Sequence, residues 1–169
     1  MFALCPRILA KGGEDAELVA TGYRTFAVER LRYADIPQVA QLERRVFPEP
    51  MSRGRLQRKY RSPHTVFVAV KDRDLVIAYF GFEVCHPYAH VLANATHPDY
   101  RRLGLATFLL GSAETLARER GAKAFIGEVR LSNQPQLRVL EKIGWRVLTQ
   151  IPGLFGNGET AHIVMKVFT

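Results

Sequence analysis

The stretch that decides the fold is Thr96-His97-Pro98-Asp99-Tyr100-Arg101-Arg102-Leu103-Gly104-Leu105-Ala106-Thr107. It follows an apolar strand pattern at 90–96 and leads into residues 105–119, where apolar side chains recur at helical spacing. Gly104, with the small Ala106 nearby, lets backbone N–H groups approach a ligand closely. The helix start adds unpaired donors and a partial positive charge, and Arg101 and Arg102 add two full charges. The segment is therefore predicted to hold an anion, most naturally a pyrophosphate.

Two other phosphate-binding motifs are absent from the sequence. It contains neither GxxxxGK[ST] nor GxGxxG. The spacing that is present, Arg101-x-x-Gly104-x-Ala106, is weak by itself, because a turn glycine beside solvated arginines gives the same letters. Its place between a strand and a long amphipathic helix favours the binding role.

The periodicity of the remaining sequence predicts the element order β-α-α-β-β-β-α-β-α-β-β. Strands are predicted over 25–33, 65–70, 75–84, 90–96, 124–129, 145–150 and 162–168, and helices over 36–46, 52–60, 105–119 and 133–143. We expect an α/β fold with a mixed central β-sheet of six or seven strands and helices on both faces. Residues 25–169 are predicted to form a single domain, preceded by an extension of uncertain structure at 1–24.

Composition narrows the class of protein. The chain has 169 residues, of which 47% are hydrophobic and 24% charged, which is typical of one globular domain. No apolar run approaches the roughly 20 residues of a membrane-spanning helix. The apolar N-terminal run is broken by Pro6 and Arg7, unlike a signal peptide, so a cytoplasmic location is expected. Cys5 and Cys85 form no disulfide framework, and Cys85, in an apolar run, is expected to be buried. Without CxxC or HExxH spacing, we predict no metal site.

The net charge of the chain is compatible with several kinds of partner. The net charge is +8 and the isoelectric point about 9.9. Such a balance suits an anionic cofactor, an acidic macromolecular substrate, a nucleic acid or simply a solvated basic surface. Because most arginines are dispersed along the chain, direct nucleic-acid binding is not expected.

At this point the chain resembles a known family. Arg101-x-x-Gly104-x-Ala106, after the HPDYR turn, looks like the coenzyme A signature of the GNAT superfamily of N-acetyltransferases, and the resemblance covers roughly residues 25–169. EVRLSN at 128–133, followed by LEKIGW at 140–145, is similar to a region typical of the RimI-like ribosomal-protein N-alpha-alanine acetyltransferases.

The resemblance implies acetyl-CoA as cosubstrate and assigns residues to it. The cofactor-binding residues would be Asn94, Ala95, Thr96, Arg101, Arg102, Leu103, Gly104, Leu105, Ala106, Thr107 and Asn133. The strand ending at Thr96 would splay from the strand at 126–128, with the pantetheine arm in the opening. Asn133 can also cap the helix that follows it. Glu128 matches the family's catalytic glutamate and would receive the amine proton; the alternative is that it only pairs with an arginine such as Arg130.

The sequence departs from the family where a tyrosine usually protonates the leaving thiolate. Leu140 occupies that position, and Tyr88, Tyr100 or His162 is a candidate replacement. His97, in the HPDYR turn, is expected to be structural.

The resemblance implies acetylation of an amine, most naturally a protein N-terminus and possibly a ribosomal one. The alternatives are a small-molecule amine as acceptor, or a non-catalytic module that senses acyl-CoA or binds nucleic acid. The sequence does not choose between monomer and homodimer.

Overall fold

The computed structural model describes residues 7–12, 16–21 and 24–169, with side chains from residue 26 onward. Its strands are β1 (Arg7–Gly12), β2 (Ala16–Thr21), β3 (Arg24–Arg30), β4 (Thr65–Asp72), β5 (Leu75–Cys85), β6 (Tyr88–Thr96), β7 (Ala124–Arg130), β8 (Arg146–Ile151) and β9 (Ala161–Val167). Its helices are α1 (Ile36–Val46), α2 (Arg53–Arg61), α3 (Leu105–Glu119) and α4 (Gln134–Lys142).

The chain forms two compact units. The first comprises Met1–Gly81 and Ala93–Ala113, and the second comprises Phe82–Leu92 and Glu114–Thr169. β5, β6 and α3 each continue from one unit into the other. These three elements therefore belong to both units.

In the first unit the strands follow the order β1-β2-β3-β4-β5-β6. β1, β2, β3 and β4 pair antiparallel in succession. α1 turns Ile36, Val39 and Leu42 inward at helical spacing, whereas α2 buries Leu56 alone among its residues. The Ser52 hydroxyl accepts a hydrogen bond from the Arg55 N–H at 3.2 Å and so begins α2, as the sequence predicted.

In the second unit the order is β5-β6-β7-β9-β8. β6 and β7 run parallel, from Tyr88 opposite Ala124 to His90 opposite Ile126. β9 pairs antiparallel with both β7 and β8. Phe125 is the centre of the aromatic core: its ring stacks on Trp145 at 5.8 Å and meets Phe82 edge-on at 5.3 Å.

The predicted α/β class with a mixed sheet is confirmed. From residue 24 onward the chain has the seven strands and four helices that the periodicity predicts, with antiparallel pairs on either side of the parallel pair β6–β7. β1 and β2 are two further strands, inside the segment predicted as an extension. The domain boundary at residue 25 stays a prediction.

The expectation that Cys85 is buried is wrong. Cys85 is the last residue of β5 and is exposed, because the strand leaves the core there and turns into β6. Cys5 lies outside the described residues.

Candidate functional site

The start of α3 and the loop before it, residues 101–107, are here called the α3 entry. Arg102 and Gly104 have positive φ angles of 64° and 77°, a conformation that costs roughly 1–2 kcal/mol for a residue other than glycine. The Phe108 N–H donates to the Gly104 carbonyl at 3.0 Å and closes the first helical turn. The N–H groups of residues 104–107 therefore have no acceptor within the helix, and they lie at the positive end of its dipole.

The side chains of the α3 entry divide into an anchor and a polar rim. Leu105 is 1% exposed and fixes the helix start to the core of the first unit. Arg101, Arg102 and Thr107 are exposed, and Leu103 and Ala106 are half-buried. The entry thus places two guanidinium groups in solvent beside four helix-start N–H groups, an arrangement that fits a phosphate group.

The end of β6 holds the other cofactor-binding residues predicted in the first unit. Ala95 is buried and Thr96 is half-buried. Both polar atoms of the Asn94 amide are buried, and neither has a hydrogen-bond partner among the described residues. Because a buried unpaired polar group costs about 1–3 kcal/mol, Asn94 is suited to bonding a bound molecule.

The turn between β6 and α3 is held by side chains. His97 Nε2 lies 2.5 Å from Arg45 Nη1. The Asp99 backbone N–H donates to His97 Nδ1 at 3.3 Å and caps the short turn that follows. The Tyr100 hydroxyl donates to Asp72 at 2.9 Å. These contacts fit the structural role expected of His97.

In the second unit, Glu128 on β7 pairs with His90 on β6. His90 Nε2 lies 3.0 Å from Oε1 and 2.9 Å from Oε2 of Glu128. Because an ionised carboxylate only accepts, Nε2 carries a proton and donates it to both oxygens. The two side chains are 37% and 32% exposed, so the pair is open to solvent on one side.

The parallel register explains this pairing. His90 lies opposite Ile126, and Glu128 follows on the same face of β7 two residues later. His90 had no predicted role, because the register between strands more than 30 residues apart leaves no local pattern in the sequence. The sequence did offer one hint, because His90 is an ionisable residue among the largely apolar residues of β6.

Arg130, the alternative partner considered for Glu128, bonds elsewhere. Its Nη1 donates to Glu159 at 2.9 Å and to Asn157 at 3.1 Å, and its guanidinium carbon lies 3.9 Å from the centre of the Phe155 ring. The Ser132 hydroxyl also donates to Glu159, at 2.5 Å. These hydrogen bonds, from Ser132 above all, lower the pKa of Glu159 to about 2. Arg130 therefore fixes the loop between β8 and β9.

Around α4, Asn133 and Leu140 lie where the sequence places them. The Asn133 side chain accepts from the Gln136 N–H at 3.3 Å and caps α4, one of its two expected roles. Leu140 is buried at 4% exposure. His162 on β9 is 8% exposed, and neither ring nitrogen has a partner among the described residues.

The α3 entry of the first unit fits a phosphate group, and in the second unit the Glu128 carboxylate beside His90 could accept a proton. Sequence comparison gives its family. The chain belongs to the acetyltransferase (GNAT) family, whose sequence model matches residues 36–145. It is therefore an acyl-CoA-dependent N-acetyltransferase, and acetyl-CoA is its cosubstrate, as the sequence predicted.

Three relatives illustrate the likeness. An N-alpha-acetyltransferase of Saccharolobus solfataricus is 27% identical over 157 residues, covering 85% of this chain and 93% of the relative. The crystal structure of the ribosomal-protein-S18-alanine N-acetyltransferase of Escherichia coli aligns with a TM-score of 0.77 at 22% identity, covering 85% of this chain and 94% of that one. The crystal structure of PaiA N-acetyltransferase of Thermoplasma acidophilum in complex with coenzyme A aligns with a TM-score of 0.71 at 15% identity. The alignment covers 86% of this chain and 100% of that one.

Two kinds of feature are absent from the described residues. None of their helices is long and apolar enough to cross a membrane. No group of three His, Cys, Asp or Glu side chains in this part of the chain is arranged to hold a metal ion.

Proposed function

We propose that this enzyme acetylates the N-terminal α-amino group of proteins. The names of its relatives support this acceptor. The archaeal relative is an N-alpha-acetyltransferase, and the Escherichia coli protein of similar fold is a ribosomal-protein-S18-alanine N-acetyltransferase. It stays a prediction that the acceptor is a ribosomal protein and that the enzyme is cytoplasmic. Whether it is a monomer or a homodimer stays open.

The α3 entry and the end of β6 supply the groups for acetyl-CoA. We assign its pyrophosphate to the N–H groups of residues 104–107, with Arg101 and Arg102 balancing charge at the rim. Asn94 offers an amide oxygen and an amide nitrogen that are otherwise unpaired. Asn133 remains a proposed contact besides being the cap of α4. When bound, the cosubstrate supplies an acetyl group activated as a thioester.

The observation that carries the proposal is the Glu128–His90 pair. A protein α-amino group has a pKa of about 7.7–8.0, so a large part of it is protonated at neutral pH and needs a base before it can attack. The Glu128 carboxyl group is half-open to solvent, and one imidazole N–H bonds to both its oxygens. It can take the amine proton directly or through one water. His90 acts on the acceptor through Glu128 and is a positioning residue.

Leu140 leaves the departing thiolate without a hydroxyl donor at that position. A thiol pKa of roughly 8.5, by analogy with cysteine, makes the thiolate a fair leaving group. Among the three replacements considered, the Tyr100 hydroxyl already bonds to Asp72, and Tyr88 is 42% exposed. We propose His162, whose ring nitrogens are buried without a partner in the described chain.

The proposal is tested by measuring thiol release from acetyl-CoA with three acceptor sets. The first contains short peptides with free N-termini beginning Ala, Ser, Gly or Met. The second contains the same peptides with a blocked N-terminus and one internal lysine. The third contains polyamines and aminoglycosides. We expect turnover with the first set alone.

The other outcomes are informative about different parts of the proposal. Turnover with blocked peptides would move the acceptor from the α-amino group to the lysine side chain. Turnover with small amines alone would leave the fold and the cosubstrate in place and overturn the protein acceptor. Glu128→Gln, compared with the wild type on the best acceptor, then tests the base separately from the acceptor.

A further inference from the structure

Most of the net charge of the chain lies in one short segment. Residues 44–61 contain seven arginines and lysines and one acid, Glu49, and so carry +6 of the net +8. The segment includes the last turn of α1 and all of α2. The surface formed by α2 and this last turn is here called the α2 surface.

The basic side chains of α2 share one outer face. Arg55, Arg58 and Arg61 are exposed. They recur every three residues, so they rise about 4.5 Å per step along the helix on neighbouring positions. Leu56, 1% exposed, holds the opposite face against the first unit. The three guanidinium groups therefore form a row that one extended anion can contact at once.

Within the described residues, the arginines of this row are not neutralised by ion pairs: none of Arg55, Arg58 and Arg61 lies within salt-bridge distance of an acidic side chain. Arg55 acts electrostatically on the buried Glu43, whose pKa it lowers against the larger effect of burial. Uncompensated arginines in a row cost self-repulsion unless a polyanion binds them.

Two tyrosines lie at the end of the row. Arg61 Nη2 donates to the Tyr33 hydroxyl at 2.9 Å, and its guanidinium carbon lies 5.5 Å from the centre of the Tyr33 ring. The Tyr60 ring meets Tyr33 edge-on at 5.6 Å. Tyr33 is 42% exposed. An exposed ring beside arginines offers a stacking surface for a base.

We propose that the α2 surface binds single-stranded nucleic acid. The row is built from arginines, whose planar fork binds phosphate oxygens in pairs and sheds water more readily than an ammonium group. The tyrosines favour nucleic acid over an acidic peptide, because carboxylates gain nothing from a stacking face. The proposal does not depend on the acetyl acceptor, since none of these residues belongs to the proposed catalytic set.

The test is binding of a fluorescein-labelled 16-nucleotide oligouridylate, measured by fluorescence anisotropy without acetyl-CoA at 50, 100 and 200 mM salt. Three arginine–phosphate contacts predict a slope of log K against log salt of about −2, or about 20-fold weaker binding at 200 than at 50 mM. R58Q/R61Q removes two contacts, so its slope is expected near −0.7. The matched control R138Q/R146Q removes two exposed arginines from α4 and β8 and should keep the wild-type slope.

Two further variants separate stacking from charge. Tyr33→Ala should weaken binding at least about fivefold at constant slope, whereas Tyr33→Phe keeps the ring and most of the affinity. Thermal unfolding of each variant checks that it is folded. Comparing the affinity for an oligodeoxyuridylate of the same length shows whether the surface prefers RNA or DNA.

Several outcomes would overturn the proposal. These are no binding at 50 mM salt, equal losses in R58Q/R61Q and R138Q/R146Q, or competition by poly-L-glutamate as effective as that by unlabelled oligouridylate. The last result would assign the surface to an acidic peptide instead. None of these outcomes affects the acetylation assay.

Discussion

Replacing Tyr79 with phenylalanine removes one hydroxyl group from the interior of the first unit and leaves its shape unchanged. That hydroxyl donates to Oε1 of Glu43, and the Met51 N–H donates to Oε2 at 2.6 Å. Tyr79 and Glu43 are 0% and 2% exposed. Burial raises the pKa of Glu43 above its ordinary value, although both hydrogen bonds oppose that rise.

The size of the effect follows from the charge of Glu43. A hydrogen bond to an ionised group contributes about 1.5–3 kcal/mol, and one between neutral groups about 0.5–1.5 kcal/mol. Because water cannot replace the lost donor at this burial, Tyr79→Phe should lower the free energy of unfolding by about 2 kcal/mol at pH 8. At pH 4, where Glu43 is protonated, the loss should be about 1 kcal/mol.

The sign of the pH dependence follows from linkage. A carboxyl group with a raised folded-state pKa contributes stability that is present below its unfolded pKa and is lost as the pH rises through the folded value. Tyr79→Phe raises the pKa of Glu43 further, since it removes a donor that favoured the charged form. The variant should therefore lose more stability than the wild type between acidic and neutral pH.

Urea unfolding at pH 4 and pH 8 measures both numbers, and at pH 8 the melting temperature should fall by about 4–8 °C. Tyr33→Phe is the control, because it removes an exposed hydroxyl that bonds to Arg61 and should cost less than about 0.5 kcal/mol. A loss below 0.5 kcal/mol at pH 8 for Tyr79→Phe, or equal losses at both pH values, would refute the reasoning.

The remaining predictions concern the site and one close contact. Gly104→Glu should abolish acetyl-CoA binding in calorimetry, because it places bulk and negative charge where the pyrophosphate belongs; an unchanged Kd contradicts the assignment. Glu128→Gln should lower kcat/KM most at low pH, where the amine most needs a base, and wild-type rates across the pH range would remove Glu128 from the mechanism. His162→Phe should lower kcat with little change in KM, and an unchanged kcat would exclude it as proton donor. Gly81→Ala should destabilise the fold by about 2 kcal/mol, because its Cβ would overlap the Phe67 ring. In a Phe67→Leu background the loss should shrink, and strict additivity of the two losses would count against this contact.

Much of the fold was predictable because its signals are local. The apolar spacing that forms α3, and the caps at Ser52 and Asn133, depend on residues only a few positions apart in the sequence. β1 and β2 were not predicted as strands; β1 pairs with β2, and β2 pairs with β3.

The site residues stay predictions, but some of the contacts around them could not have been predicted. The α3 entry could be identified because a helix start, a glycine and two arginines are adjacent in sequence. The partner of Glu128 could not, because His90 lies 38 residues away. Arg130, two residues from Glu128, was the alternative partner that the sequence suggested, but it donates to Glu159.

By itself, the sequence determined the secondary structure from residue 24 onward and placed a helix start beside Gly104, since each depends on residues close together in the chain. Its resemblance to a family implied the cosubstrate. Only the tertiary structure decided which side chain holds Glu128, that Asn94 and His162 are buried without partners among the described residues, and that the arginines of α2 face solvent in a row. Those facts depend on strand register and on packing between distant segments. Hydrogen bonds and burial across a sheet are fixed only when the strands pair, and no local pattern records that pairing.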